Sequence, residues 1–485
     1  MAVRDLTATV DGDEAMTAGE PGEQAGQLES HGIDYIPEEE RQGRARELFA
    51  VWAAPNVSYL SLVVGAAMIL MGLTLVQALA VIVAGNLLWV LTGVLAVSGP
   101  AAGTTGSVIS RAMYGIRGNK VMVALTGWLI SAAYLALNWS GASVAAIGLA
   151  TRLGAPKSPV IDGVIICAIA AATLVVSVYG HATIMRLYSF LSVALTIVFV
   201  VVSGYVLAHT DWSYRPAQSL HGAQLWVTLI GGFAIIASTP LSYGNSPDLA
   251  RYLPRDSKPR AVAGWTALGA FLPSVLFTAV GALAATALNM SDPEAALEGI
   301  LPAWFIPVFV IAVVLNTVAN NGLTAYSAGL ALQSIGVRLG RVWAVLIIGI
   351  IATAMTLYAL LVFDFLTSVN TMLELVVVVT GPAVGVYVAD IWICRNRYDG
   401  PKLLDESRGS TFWYDAGVNG AGVTAFLAGA LTGVLCVSTS FWTGPVSSLL
   451  GGANLSLVAG LVVSALVYVA LGRTRRRAAV TKPAA

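Results

Sequence analysis

The chain has 485 residues, of which 57% are hydrophobic and only 11% are charged, and its formal net charge is zero. Its mean hydropathy of +0.79 excludes an ordinary soluble globular protein, in which about a quarter of the residues are charged. The balanced charge offers no basic surface for nucleic acid. Long continuous apolar runs exclude barrel strands, which alternate in polarity. We therefore expect an all-α polytopic membrane protein.

The first segment, residues 1–45, is acidic, rich in glycine and poor in apolar residues. Such a composition is typical of disorder, and it contains no apolar stretch of the kind found in signal peptides. We expect a disordered cytoplasmic tail.

Twelve apolar segments follow, each long enough to cross a bilayer as a helix. We place these spans, numbered one to twelve, at roughly 50–76, 79–98, 121–151, 160–180, 184–208, 224–250, 260–288, 302–335, 341–362, 366–393, 416–437 and 447–471. The predicted organisation is a ten-helix core over 46–394, a cytoplasmic loop over 395–415, two peripheral helices over 416–472 and a basic cytoplasmic tail over 473–485.

The distribution of basic residues predicts the orientation. With the N-terminus in the cytoplasm, 23 of the 26 Lys and Arg residues fall in inside segments, and only Arg152, Lys157 and Arg215 fall outside. Cytoplasmic loops of membrane proteins carry this excess of positive charge. Both termini are therefore expected in the cytoplasm, with the chain in the cell membrane.

The residue types that bind metals or form disulfides are few. Cys167, Cys394 and Cys436 all lie in or beside predicted spans, where cysteine usually packs as a small apolar residue. Four histidines without ligand spacing argue against a metal site. We expect neither a metal nor a cofactor.

Spans one and six contain residues that interrupt helices. Span one carries Pro55 near its start and Gly65 deeper, while span six carries Pro240 and Gly244. Secondary transporters often bind substrate where two discontinuous helices of an inverted repeat expose backbone groups. The competing interpretation is that glycine and proline are simply frequent in membrane helices. If the breaks exist, the candidate substrate contacts beside them are Ser61, Gly65, Thr239, Ser242 and Tyr243.

Span eight contains three asparagines in its middle: Asn316, Asn320 and Asn321. Polar side chains at this depth usually face a bundle interior or a cavity. Asn316, Asn320 and Thr324 follow each other at four-residue spacing, which places them on one helix face. That face offers donors and acceptors without net charge, as a flat, neutral, hydrogen-bonding solute requires.

Span three supplies Trp139 and Ser143 on one face, with Tyr134 and Asn138 nearby. An indole at mid-span can stack on a flat heterocycle while the neighbouring hydroxyl binds its edge. The alternative is an ordinary packed tryptophan.

Four segments carry a family resemblance. They are the run from Gly32 to Arg41, the loop from Arg111 to Gly118, the segment from Pro247 to Pro254 and the span-eight segment from Ala319 to Leu330. Together they resemble the nucleobase:cation symporter-1 family, the purine–cytosine permeases, and the cytosine/purine branch most. The similarity runs from about residue 32 to 400.

Membership implies the LeuT-type fold, with two inverted five-helix repeats, broken helices one and six, and two C-terminal helices. In the family, an aromatic residue of span three and one of span six sandwich the base, and a polar residue four beyond the first aromatic binds its edge. The resemblance carries these span-three roles to Trp139 and Ser143. It assigns base contacts in span eight to Asn316, Asn320, Asn321 and Thr324. The expected span-six aromatic falls at Thr239, which leaves Tyr243 or Phe233 to replace it.

A second difference from the family pattern predicts the coupling ion. Sodium-coupled members place two hydroxyl residues just before the span-eight asparagine, where this chain has Ala319 and Asn320. We therefore favour protons, with sodium as the alternative. Glu374 lies deepest among the carboxylates of the spans and is the candidate proton carrier, although a neutral structural glutamate is the competing interpretation. Asp248 and Arg251 are expected to form a structural or gating pair.

The function that we predict is secondary active transport of a neutral nucleobase, cytosine or a purine, by a monomer in contact only with substrate and lipid. The alternative is a permease of the same fold for hydantoin, allantoin, uracil, a thiamine precursor or an amino acid. An enzyme is disfavoured because the sequence lacks a P-loop or a zinc-protease motif. A channel is disfavoured because it lacks charge rings or a repeated pore segment.

Overall fold

A computed structural model describes residues 31–242, 244–362, 365–439 and 442–481, without the side chains of 361–375 and 473–481. Helices dominate this part of the chain, and its β structure is limited to two isolated bridges, Asp415 with Val418 and Ser438 with Thr443. The all-α prediction is therefore confirmed.

The spans have the following bounds. Span one is Glu47–Asn56 with Tyr59–Leu70, span two is Leu75–Asn86, Trp89–Ala96 and Ser98–Ala102, and span three is Ile116–Val123, Ala124–Leu129 and Ile130–Arg152. Spans four to seven are Pro159–Tyr179, His181–His209, Gly222–Ser242 with Pro247–Ala250, and Pro259–Ala285. Spans eight to ten are Ile306–Ser334, Arg341–Val362 and Phe365–Cys394, followed by Gly420–Cys436 and Ser456–Thr481.

Nine helices of the described chain are long and apolar enough to cross a membrane, and the broken pair of span one makes a tenth. The two C-terminal helices have shorter apolar stretches, Gly420–Cys436 and Ser456–Gly472. The polytopic architecture is confirmed, while the exact number of twelve spans stays a prediction.

Span one is broken where the sequence predicts it. Its first half ends at Asn56, its second half begins at Tyr59, and the two halves meet at 58°. Ser58 has an extended backbone, and its hydroxyl accepts a hydrogen bond from the Leu60 amide. Ser58 thus caps the second half as an N-cap residue.

Span six is also interrupted, between Ser242 and Pro247. Thr92 of span two supports this break from both sides, because its hydroxyl donates to the Pro240 carbonyl (2.7 Å) and its carbonyl accepts from the Ser246 hydroxyl (2.8 Å). The interruption predicted from Pro240 and Gly244 is confirmed.

Span three contains a turn of π-helix, Ala124–Leu129, between its two α-helical parts. The sequence did not suggest this feature. Such π-bulges occur mostly inside α-helices at functional sites, and this one lies beside a cavity described below.

The N-terminal boundary needs correction. Residues 31–45 do not belong to a disordered tail, because Ile36 is fully buried and its amide donates to the Gly103 carbonyl at 2.9 Å. The buried Arg41 guanidinium donates to the Pro100 carbonyl at 2.9 Å. This segment packs on the bundle because the Ile36 side chain is buried there and the Arg41 guanidinium finds a carbonyl partner.

The predicted inside loops meet at one end of the bundle, which we call the basic end. There Glu406 forms ion pairs with Arg111 and Lys120, and Glu38 pairs with Arg255. Loops that the sequence assigns to one side of the membrane therefore do lie together.

Spans one and seven approach each other very closely. A Cβ atom at Gly65 would collide with the Thr278 carbonyl, and one at Gly281 would collide with the Leu62 carbonyl. Small residues permit this packing in membrane helices. Gly65 is therefore a packing residue, and its predicted role as a substrate contact is not supported by this position.

Candidate functional site

Four spans meet around a cavity at the breaks, which we call the central cavity, with an empty volume of about 470 Å³. Spans one, three, six and eight contribute its described lining: Leu60, Ile130, Ser131, Tyr134, Asn138, Thr239, Ser242, Asn245, Asn320 and Thr324. None of these lining residues carries a charge. The cavity therefore suits a neutral polar molecule.

Four predicted site residues line the central cavity: Asn320, Thr324, Thr239 and Ser242. The hydroxyl of Thr324 donates to the Asn320 carbonyl (3.1 Å), and that of Ser242 donates to the Thr239 carbonyl (2.7 Å). Since their protons are used within their helices, both hydroxyl oxygens act as acceptors toward the cavity.

Asn321 serves a different purpose from the predicted one. Its side chain is fully buried, its amide nitrogen donates to the Leu135 carbonyl (2.9 Å), and its oxygen accepts from the Asn138 amide (2.9 Å). Asn321 therefore ties span eight to span three and orients Asn138 instead of facing the cavity.

Asn316 is likewise turned away from the described lining. Its amide nitrogen donates to the carbonyls of Ala54 (3.1 Å) and Pro55 (3.3 Å) at the end of the first half of span one. Asn316 lies one helical turn before Asn320, and at its level span eight contacts the break of span one.

Trp139 and Ser143 are also placed elsewhere. The Trp139 indole is fully buried, packs among small and aliphatic residues of spans three, four, eight and nine, and donates to the Thr173 hydroxyl at 3.0 Å. Ser143 is fully buried too. Neither residue lines the cavities described here. Their positions therefore do not support the base-contact roles that the family resemblance implied.

Tyr134 and Asn138 lie at the cavity wall, where Trp139 and Ser143 were predicted to lie. Both line the central cavity, and they have the same spacing of four residues. The signal was an aromatic residue with a polar residue one turn later, a pattern that also fits this earlier pair. Because the Asn138 nitrogen donates to Asn321, its oxygen remains as the acceptor for a ligand.

Asn245 is a further lining residue that the prediction missed. It lies in the interruption of span six, and its amide oxygen is buried without a hydrogen-bond partner. With the oxygens of Asn138, Ser242 and Thr324, it makes the cavity rich in acceptors. A ligand with several N–H groups would satisfy these atoms.

Two further cavities adjoin the central one. A lower cavity of about 760 Å³ toward the basic end shares Ser131, Ser242 and Asn245 with it and is lined also by Asp248 and by Thr126 of the π-helical turn. A side cavity of about 430 Å³ at the break of span one shares Leu60, Thr239 and Asn320 with it, and includes the predicted Ser61. The three cavities follow one another through the bundle.

The family of permeases for cytosine/purines, uracil, thiamine and allantoin matches residues 35–460. The chain belongs to this family. It is thus a nucleobase:cation symporter-1 transporter and not an enzyme, as the resemblance implied.

Individual relatives agree with the family assignment. A Bacillus subtilis (strain 168) protein named "Putative purine-cytosine permease YxlA" is 25% identical over 462 residues, which cover 92% of this chain and 96% of the relative. Mhp1, a nucleobase-cation-symport-1 transporter solved in a closed conformation with bromovinylhydantoin, has a TM-score of 0.73 at 17% identity, with 92% and 96% of the two chains covered. A Na⁺-coupled sialic acid symporter has a TM-score of 0.60 at 11% identity, with 90% and 91% covered. These two structures support the LeuT-type fold alone.

The predicted gating residues of this permease lie at the basic end. Asp248 accepts a hydrogen bond from the Gly106 amide (2.8 Å), and Arg251 donates to the Gly32 carbonyl (2.7 Å) and the Tyr326 hydroxyl (3.1 Å). Arg251 thereby links spans six and eight and the N-terminal segment. Tyr243 and the side chain of Glu374 lie outside the described residues. Phe233 does not line the described cavities and packs against apolar clusters.

A short helix at the opposite end, Pro293–Glu298, carries a carboxylate with a shifted pKa. Burial, followed by the charges of Glu298 and Asp292, raises the pKa of Glu294 from 4.5 to about 7, although Arg152 opposes the shift. The Glu298 carboxylate forms an ion pair with Arg152. The charges of all three carboxylates, Asp292, Glu294 and Glu298, also act on the Tyr59 hydroxyl.

We expect this glutamate to make the stability of the permease depend on pH. Because the folded state binds the proton more tightly than the unfolded state, its contribution is present below pH 4.5 and is lost as pH rises through about 7. In Glu294→Gln, the thermal midpoint should vary less with pH over this range. Glu39→Gln, at an exposed carboxylate of the basic end, is the control and should keep the wild-type slope. An unchanged slope in Glu294→Gln would contradict the assignment.

Proposed function

We propose that this permease imports a neutral nucleobase, cytosine or a purine such as adenine, guanine or hypoxanthine, by proton symport and alternating access. The observation that carries the proposal is the uncharged, acceptor-rich central cavity formed where both broken spans meet spans three and eight. A nucleobase has N–H donors along one edge and a flat apolar face, which are the two features that such a cavity can bind.

The edge and the face have separate partners. N–H groups of the base are expected to donate to the oxygens of Asn138 and Asn245, while the Asn320 amide has both donor and acceptor atoms. The ring face packs on Tyr134 and on the apolar side chain of Leu60. Aromatic stacking of this kind contributes about 1–3 kcal/mol per base.

The adjoining cavities support transport through the bundle. The lower cavity leads from the central cavity toward the basic end, which we propose is cytoplasmic, with both termini on that side of the cell membrane. We propose that the transporter acts as a monomer. The broken halves of spans one and six would then change the access to the substrate from one end to the other.

A second candidate substrate is a hydantoin. Hydantoin also presents N–H groups on a flat ring, and the Mhp1 structure contains bromovinylhydantoin. Allantoin, uracil and thiamine precursors belong to the same family description. An amino acid is less favoured, because the described lining of the central cavity has no charged group for its ammonium or its carboxylate.

A thermal-shift panel on the purified protein separates these candidates. Ligand binding to the native state raises the midpoint by an amount that grows with concentration relative to Kd. Adenine, cytosine, guanine and hypoxanthine are tested beside hydantoin, allantoin, uracil and leucine. We expect at least one of the four nucleobases to raise the midpoint most. A shift with hydantoin or leucine alone would reject the nucleobase assignment.

A further inference from the structure

The break in span one exposes carbonyl groups that a continuous helix would satisfy. In such a helix, the amides of Ser58 and Tyr59 would donate to the carbonyls of Ala54 and Pro55. The extended backbone of Ser58 removes both donors. Carbonyls at the C-terminal end of a half-helix carry partial negative charge, and in transporters such ends coordinate the coupling cation.

In this chain, a neutral side chain already occupies these carbonyls. The amide nitrogen of Asn316 donates to both, at 3.1 Å and 3.3 Å. Ala54 is fully buried and Asn316 is 3% exposed, so the contact lies in the protein interior. Two N–H bonds of one amide nitrogen can serve two acceptors at once.

The neighbouring turn of span eight shows the same arrangement. Ala319 lies three residues after Asn316, and its carbonyl accepts a hydrogen bond from the Tyr188 hydroxyl of span five. The carbonyl oxygens of Ala54, Pro55 and Ala319 are thus all satisfied by donors of the chain itself. Sodium binds oxygen ligands, and it would have to displace these hydrogen bonds.

We propose that the Asn316 amide takes the place of a coupling cation at the break of span one, so that this permease holds the break closed without sodium. The inference deepens the proposed proton coupling and rests on the proposed transport function. It gives Asn316 a positioning role and explains why an amide in this span faces away from the substrate cavity.

Sodium binding to the purified full-length protein tests the proposal without any nucleobase. Thermal midpoints are measured in NaCl and in choline chloride at equal ionic strength for the wild type, Asn316→Ser and Asn316→Leu. Serine frees both carbonyls and adds a hydroxyl oxygen, whereas leucine frees the carbonyls and adds none. We expect no sodium-specific shift for the wild type, a saturable upward shift for Asn316→Ser and a smaller or absent shift for Asn316→Leu.

Two results would overturn the proposal. One is a saturable sodium-specific rise in the midpoint of the wild type, which can be measured even if neither variant folds. The other is an Asn316→Ser protein that sodium stabilises no more than it stabilises Asn316→Leu. Because no base is added, failure of the nucleobase assignment would leave both outcomes readable.

Discussion

Trp139→Ala is expected to destabilise the permease by about 3–5 kcal/mol while leaving the nucleobase affinity of the folded protein close to the wild-type value. The indole is fully buried in a cluster with Leu135, Ile169 and Ile348, and it donates to Thr173. Its removal leaves a void that the small residues around it cannot fill. Since it does not line the described cavities, the substrate should not sense its loss directly.

Tyr134 provides the matched comparison. Tyr134→Leu keeps an apolar side chain, although a shorter one, and removes the ring that lines the central cavity. We expect a smaller loss of stability than in Trp139→Ala and a clear rise in Kd. The measurements are thermal midpoints in detergent and binding isotherms corrected for the folded fraction. Lost affinity with unchanged stability in Trp139→Ala would return the indole to the substrate site.

The difference between these two residues shows what helical patterning can predict. Composition and apolar runs predict the spans, and proline and glycine predict the breaks at Asn56 and Ser242. The direction of one side chain depends on the rotation of its helix, and neighbouring positions differ by about 100° in an α-helix. Asn138 faces the cavity, whereas Trp139 faces spans four and nine.

Tertiary partners explain the remaining differences in span eight. Asn316 and Asn320 share a helix face, as predicted, but the end of a half-helix lies opposite Asn316 and a cavity lies beside Asn320. Asn321 meets the Leu135 carbonyl of span three. The spacing of residues in one helix contains no information about which neighbouring element lies at each depth.

The N-terminal segment illustrates a limit of composition. Residues 31–45 are polar enough to suggest disorder, yet Ile36 and Arg41 anchor them to span two. These contacts form because the C-terminal end of span two offers carbonyls that have no partner within the helix. A compositional rule averages over residues and does not detect a few well-placed anchors.

Asn320→Ala is expected to weaken nucleobase binding by about 1–3 kcal/mol, or roughly five- to 150-fold in Kd, because one edge of the buried base loses its hydrogen-bond partner. Asn320 is the asparagine of span eight that lines both the central and the side cavity. Its amide can donate to a ring nitrogen or carbonyl and accept from an N–H group. Alanine offers neither.

Controls separate binding from folding in this experiment. Ser334→Ala alters a buried hydroxyl of the same span that donates only within its own helix, and it should leave both Kd and uptake unchanged. Uptake of labelled base into proteoliposomes and binding by calorimetry are measured together with the thermal midpoint. If Asn320→Ala binds the base as tightly as Ser334→Ala does, the amide is no substrate contact, and other polar groups of the lining, such as those of Asn138 and Asn245, must bind the edge of the base.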